Sequence, residues 1–178
     1  MAVHRILKSD ESLLRKKAKK VKNFDAGLKA LVEDMVETMH SANGVGLAAP
    51  QIGVSQRVIV VQLPEDDEEL EAGKLFALVN PEIAEASAEC EAGEEGCLSV
   101  PGFVGEVKRA TAVRLKAQTV NGRPIRMDVK GYLARVFQHE IDHLDGVLFI
   151  DRVEGPDKLR RITPQGEQKP IEPEPAES

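Results

Sequence analysis

Gly131-Tyr132-Leu133-Ala134-Arg135-Val136-Phe137-Gln138-His139-Glu140-Ile141-Asp142-His143-Leu144 combines an apolar period with a pair of histidines four residues apart. Leu133, Val136, Phe137, Ile141 and Leu144 recur at helical spacing, so the segment predicts an amphipathic helix. It should end near Asp145-Gly146, because glycine readily takes the left-handed backbone that closes a helix. Within it stands His139-Glu140-Ile141-Asp142-His143, an H-E-x-x-H pattern. Residues four apart share one helix face, so both imidazoles can reach one metal while Glu140 sits beside a water bound to it. Five-residue patterns also arise by chance; the unbroken helical frame around this one favours the metal.

Two histidines leave a catalytic site one protein ligand short, since such sites usually offer three and keep a position open for water. No histidine follows His143, and Asp145, Asp151 and Glu154 fall in a turn or at the entrance to the tail. Cys97, in Glu95-Gly96-Cys97-Leu98-Ser99, is the better third ligand. A thiolate binds a borderline metal well, and Gly96 permits close backbone approach. Cys90 has no such neighbourhood and reads as a small buried hydrophobe.

Upstream, Leu28, Leu31, Val32, Met35, Val36 and Met39 predict a second amphipathic helix from about Gly27 to His40. Asn23 or Asp25 would cap it and Ser41-Ala42-Asn43-Gly44 would stop it. Gly44 to Ala49 matches G-x-G-x-x-A, the dinucleotide-binding pattern, but that motif needs a strand before it and a helix after it. Here a helix precedes and Pro50 follows. The segment Gly44 to Gly53 therefore reads as a tight loop bringing backbone amides and the Gln51 amide close to a ligand. Arg57 to Leu63, Leu75 to Asn80, Val104 to Gln118 and Pro124 to Val129 read as strands, with Asn121-Gly122 as the hairpin turn between the last two. Pro64 to Gly73 reads as an acidic loop. Beyond Val153 the chain is rich in proline and charge, which predicts a frayed or disordered tail over residues 154–178 after a single catalytic domain over residues 1–153.

The chain has 178 residues, 42% of them hydrophobic and 30% charged, enough for a core without disulfide staples. Its net charge of −6 argues against a surface devoted to nucleic acid. The basic run Arg15 to Lys22 reads as a solvated face. No stretch is long and apolar enough for a membrane span and Met1 to Glu11 has no signal-peptide core, so a cytoplasmic location is expected.

Three segments, Gly44 to Gln51, Glu95 to Ser99 and Gln138 to His143, resemble the signature motifs of the peptide deformylase family in order and in spacing. With Ile6-Leu7, Leu14-Arg15 and the helix before Gly44, the likeness runs from the start to roughly Arg152. It implies an α+β fold in which mostly antiparallel sheets pack around a central helix carrying H-E-x-x-H, with an N-terminal helix. It further implies one divalent metal on Cys97, His139 and His143, Fe²⁺ by resemblance, with Zn²⁺, Ni²⁺ or Co²⁺ also suited to the donor set. Glu140 would handle protons, and Gln51 with the Leu98 backbone N–H would stabilise the oxyanion. Val45, Gly46 and Gly96 would pair with the peptide, and an apolar pocket would take a methionine side chain. Glu95 and Arg109 would form an ion pair steadying the Cys97 loop. The implied substrates are N-formylmethionyl nascent peptides, with no membrane and no sequence-specific nucleic acid as partner. Two departures stand out: Ser9 where the family often has proline, and a short proline-rich tail where some members continue as a helix that contacts the ribosome, which leaves that contact open. An H-E-x-x-H endopeptidase or a non-enzymatic metal-binding module would use the same helix. Neither accounts for Gly44 to Gln51.

Overall fold

The structure, a computed structural model, describes residues 1–171 apart from residue 70. The helix expected from Gly131 to Leu144 spans those residues and is named α2 below; the upstream helix, α1, spans Ala26–Ser41. Asp25 is its cap: the side chain accepts from the Leu28 N–H at 3.0 Å, satisfying one of the free donors of the first turn.

Among the described residues two antiparallel sheets are formed. The first orders β1 (Gly46–Ala48), β2 (Val58–Gln62), β3 (Leu75–Ala86), β6 (Ala112–Gln118) and β7 (Pro124–Lys130) as β1-β2-β3-β6-β7. The second orders β4 (Cys90–Cys97), β5 (Val100–Ala110), β8 (Leu159–Ile162) and β9 (Gln168–Pro170) as β4-β5-β8-β9.

The continuous apolar run of β2 is explained by cover on both faces. Ile59 and Val61 pack with Leu133, Phe137 and Ile141 of α2, while Val58 and Val60 pack with Leu28, Met35 and Met39 of α1. On that apolar bed α2 lies nearly enclosed, its motif residues His139, Glu140, Asp142 and His143 all buried. A third apolar cluster, Val100, Val107, Leu148 and Phe149, seats the second sheet on the short turn that follows α2.

Three differences from the sequence reading have physical causes. Val104 to Gln118, expected as one strand, is two: β5 ends at Ala110 in the second sheet and β6 begins at Ala112 in the first. The break carries no glycine or proline. It is made by tertiary pairing at Thr111, whose N–H donates to the Glu89 carbonyl and whose carbonyl accepts from Gly131. Cys90 to Cys97, with little β-propensity of its own, is a strand because β5 pairs along its length. Within the stretch expected as a tail from Glu154 onward, β8 pairs with β5 (Phe103 opposite Arg161, Val104 opposite Arg160, Gly105 opposite Leu159) and turns back into β9. Residues 172–178 of that expected tail lie outside the described residues. Cys90, read as a buried hydrophobe, is exposed. The turn between β6 and β7 places only Gly122 at positive φ (+84°), and the Gly122 N–H donates to the Thr119 carbonyl at 2.9 Å. No helix among the described residues is long and apolar enough to cross a membrane.

Candidate metal centre

Three elements meet at one point. The last residue of β4 supplies Cys97, one face of α2 supplies His139 and His143, and the short turn Ala49–Ile52 after β1 supplies Gln51. One ligand atom from each of Cys97, His139 and His143 lies within 4.8 Å of the others. Cys97 Sγ is 3.3 Å from His143 Nε2, and the two imidazoles stand one helical turn apart with ring centroids 5.1 Å from each other. His139 turns its Nδ1 to the Glu95 carboxylate at 2.8 Å, which leaves Nε2 for the centre. A metal-ligating histidine characteristically gives its other ring nitrogen to a carboxylate in this way.

The two imidazoles are shifted in opposite directions. Burial alone would lower His139, but its hydrogen bonds to Cys97 and Glu95 outweigh that and raise it to about 10. His143, buried and facing the positive charges of His139 and Arg109, is held well below the ordinary histidine value and so offers a neutral ring. A thiol and two imidazoles converging on one point are the donor set of a borderline divalent metal. Beside this point Glu140 Oε2 is buried with no hydrogen-bond partner among the described residues. An unpaired buried polar atom is costly, so its position next to the three donors marks a place shaped for something other than protein.

Glu140 is pressed from the far side by β1. A Cβ on Gly46 would stand 2.5 Å from Glu140 Oε1, so the close packing of strand on carboxylate requires glycine. Burial raises the Glu140 carboxyl to about 7, against the opposing pull of His139. Gln51 is fixed at both ends: Oε1 accepts from the Ala48 N–H at 2.9 Å, and Nε2 donates to Ser99 Oγ at 3.1 Å and to Cys97 Sγ at 3.7 Å. Its amide N–H groups therefore already face the thiol.

Behind the ligands runs a buried ionic network. Arg109 donates to both Glu95 oxygens, at 2.9 and 2.8 Å, and to Asp142 at 2.6 Å. Arg135 adds a bond to Glu95 Oε2 at 2.7 Å, and Arg152 closes the far end on Asp142 Oδ1 at 2.8 Å. Glu95 and Arg109, expected as an ion pair, stand 2.8 Å apart. Asp142, Arg135, Arg152 and Ser99 were missed by the sequence reading. A signal existed for two of them: Arg135 and Asp142, with Gln138, form a polar stripe on a helix that is otherwise wrapped in apolar contacts.

A cavity of about 340 Å³ opens onto this centre. One end is lined by Tyr132, Arg135, Val136, His139 and Glu140, and the sides by Val45, Gly46, Gly96 and Leu98. Both β1 and β4 end their sheets, so two strand edges border the same cavity. A larger groove of about 1060 Å³, between the acidic 64–73 loop and the β3, β6 and β7 strands, contains none of these residues.

The profile of the polypeptide deformylase family matches residues 3–159. The peptide deformylase of Symbiobacterium thermophilum is 48% identical over 169 residues, covering 95% of this chain and 74% of the relative. That of Heliobacterium modesticaldum is 52% identical over 155 residues, covering 86% of this chain and 96% of the relative. Among solved structures, the crystal structure of the peptide deformylase from Thermotoga maritima superposes with a TM-score of 0.80 at 44% identity, over 87% of this chain and 100% of the other. The peptide deformylase of Synechococcus elongatus in complex with actinonin gives 0.78 at 41%, over 84% and 78%.

Proposed function

Because the chain belongs to the polypeptide deformylase family and is therefore an enzyme, we propose that it removes the N-formyl group from the N-terminal formylmethionine of newly synthesised polypeptides, releasing formate. One observation carries this reading: a thiol and two imidazoles converge beside a buried, unpartnered carboxylate, at the end of a cavity bordered by two free strand edges.

Cys97, His139 and His143 would hold one divalent cation, iron by family resemblance. When bound, such an ion supplies Lewis-acid polarisation of a carbonyl and acidifies a water. Glu140, with a carboxyl near 7, can take a proton at Oε2 and return it to the leaving amine at neutral pH. The Gln51 amide and the Leu98 N–H donate to the oxygen on which negative charge develops. Losing one such donor typically costs about 3 kcal/mol of barrier. The peptide lies as an added strand between Val45-Gly46 and Gly96, so its main chain is recognised whatever its sequence. Tyr132, Val136 and the stem of Arg135 enclose the methionine side chain, and the network of Glu95, Arg109 and Asp142 keeps His139 aimed. We take the catalytic domain to run through the β8 to β9 hairpin and not to stop at Val153, and the enzyme to act in the cytoplasm, where nascent chains emerge.

An endopeptidase of the same motif would draw a third ligand from downstream of α2. Asp151 instead bonds Arg15 and the Leu148 N–H, which occupies it elsewhere. A closed structural site would need a fourth protein ligand, and no further His, Cys, Asp or Glu joins the cluster among the described residues. The test is formate release from formyl-Met-Ala under anaerobic conditions, beside acetyl-Met-Ala. Rapid release with no attack on the acetyl peptide is expected; equal rates, or cleavage of the Met-Ala bond, would overturn the reading.

A further inference from the structure

The family profile ends at Leu159, yet the same cavity has a wall beyond that point: Ile162 of β8 lines it with Gly102 and Val104 of β5. Residues paired across antiparallel strands share a face, and every second residue along a strand returns to it. Gly96 is paired with Val104, Val104 with Arg160, and Ile162 with Gln168. Glu94, Gly96, Val104, Ile162 and Gln168 are therefore on one face of the second sheet. Glu95 is on the other, where it meets Arg109, Arg135 and His139.

That first face is concave. Gln168 on β9 reaches Glu94 on β4 at 2.8 Å although β5 and β8 lie between them, which only a curled sheet allows. The Arg161 guanidinium, 5.7 Å from the Phe103 ring centre, fastens the hairpin to β5 from the opposite face. Ile162 is 37% exposed and lines the cavity from the concave side.

We propose that Ile162, with Val104 and Gly102, forms an apolar shelf for the side chain of the residue that follows formylmethionine, so that the C-terminal hairpin is a specificity element of the enzyme. The inference rests on the deformylase reading above and on strand geometry. A peptide lying along the free edge of β4 with its methionine on the Glu95 side, against α2, must turn its next side chain to the Gly96 and Ile162 side. The shelf is apolar, so it favours leucine over glycine there by the apolar area it removes from water.

The experiment uses the full chain, loaded with metal, and compares kcat/KM on formyl-Met-Leu-Ser, formyl-Met-Gly-Ser, formyl-Met-Glu-Ser and formyl-Met-Gly-Leu. The native chain should prefer Leu over Gly at the second residue by on the order of fivefold, through KM. Ile162→Ala should bring that ratio close to one. Ile162→Lys should reverse it in favour of Glu at the second residue, a gain that loss of fold cannot produce. An unchanged Leu to Gly ratio in Ile162→Ala, or a preference that resides at the third residue, overturns the shelf while leaving deformylation intact. Failure of the native chain to release formate from any of the four peptides overturns both.

Discussion

The two walls of the cleft are built on opposite principles. The inner wall, where α2 meets β4, is a buried network in which Glu95 and Arg109 are each about 5% exposed at the side chain. The outer wall, the β8 to β9 hairpin, rests on pairing to β5, on Leu159 packed against the Phe149 cluster, on a cation–π contact and on an exposed hydrogen bond from Gln168 to Glu94. In the buried network Glu95 is shared by Arg109, Arg135 and His139 and Asp142 by Arg109 and Arg152, so a change there disturbs charges that water cannot reach. In the outer wall a change leaves groups that water can satisfy. The proposed proton chemistry would draw on the first, and the proposed side-chain preference on the second.

The sharpest test of that contrast is Glu140→Gln. Its carboxylate handles protons without ligating the metal in this account, so the variant should keep a full equivalent of metal and lose about 10²- to 10⁴-fold in kcat. Turnover within tenfold of the native chain would remove Glu140 from its role. Next in size is Arg109→Met, which removes the guanidinium joining the buried Glu95 and Asp142 carboxylates and leaves Glu95 to Arg135 and His139 and Asp142 to Arg152. Unfolding by denaturant should show a loss of about 3–5 kcal/mol. A loss under 1 kcal/mol would mean that the inner wall is no stiffer than the outer.

A third effect follows pH. Burial alone would raise the Glu95 carboxyl, but hydrogen bonds from Arg109 and His139 outweigh it and hold it at about 2, against an ordinary 4.5. Because the folded value is depressed, its stabilisation is fully present above pH 4.5 and is lost as pH falls toward 2. Glu95→Gln should therefore be less stable than the native chain at pH 6, and the gap should close across that window. A gap that stays constant down to pH 2.5 would dissociate Glu95 from the acid response. The smallest effect, a few-fold in substrate preference, is the one assigned to Ile162.

How much of this was legible beforehand divides along the same line. The helix carrying the motif was readable to its ends because its apolar period, Leu133, Val136, Phe137, Ile141 and Leu144, is the face it buries. Cys97 was readable from donor chemistry and from the glycine beside it. What escaped was whatever tertiary pairing imposes on a neutral local sequence. Thr111 ends one strand and starts another because Glu89 and Gly131 bond to it. Glu91 to Gly96 is strand because β5 lies beside it. The hairpin, in a charged and proline-bearing stretch, gains its order from β5 and from Leu159 joining the cluster around Phe149. Asp142 sat within the motif itself, but its partners Arg109 and Arg152 are recognisable only once the fold brings them together.

Cys97, and not a residue downstream of α2, would complete the metal site proposed for deformylation. Metal content per chain, measured anaerobically together with formate release from formyl-Met-Ala, tests it on the native chain, Cys97→Ala and Cys90→Ala. One equivalent of metal and rapid release are expected for the native chain and for Cys90→Ala, whose thiol is exposed at the start of β4, away from the cluster. Cys97→Ala should hold no stoichiometric metal and release no formate above background. A Cys97→Ala protein that keeps a full equivalent of metal would contradict the account.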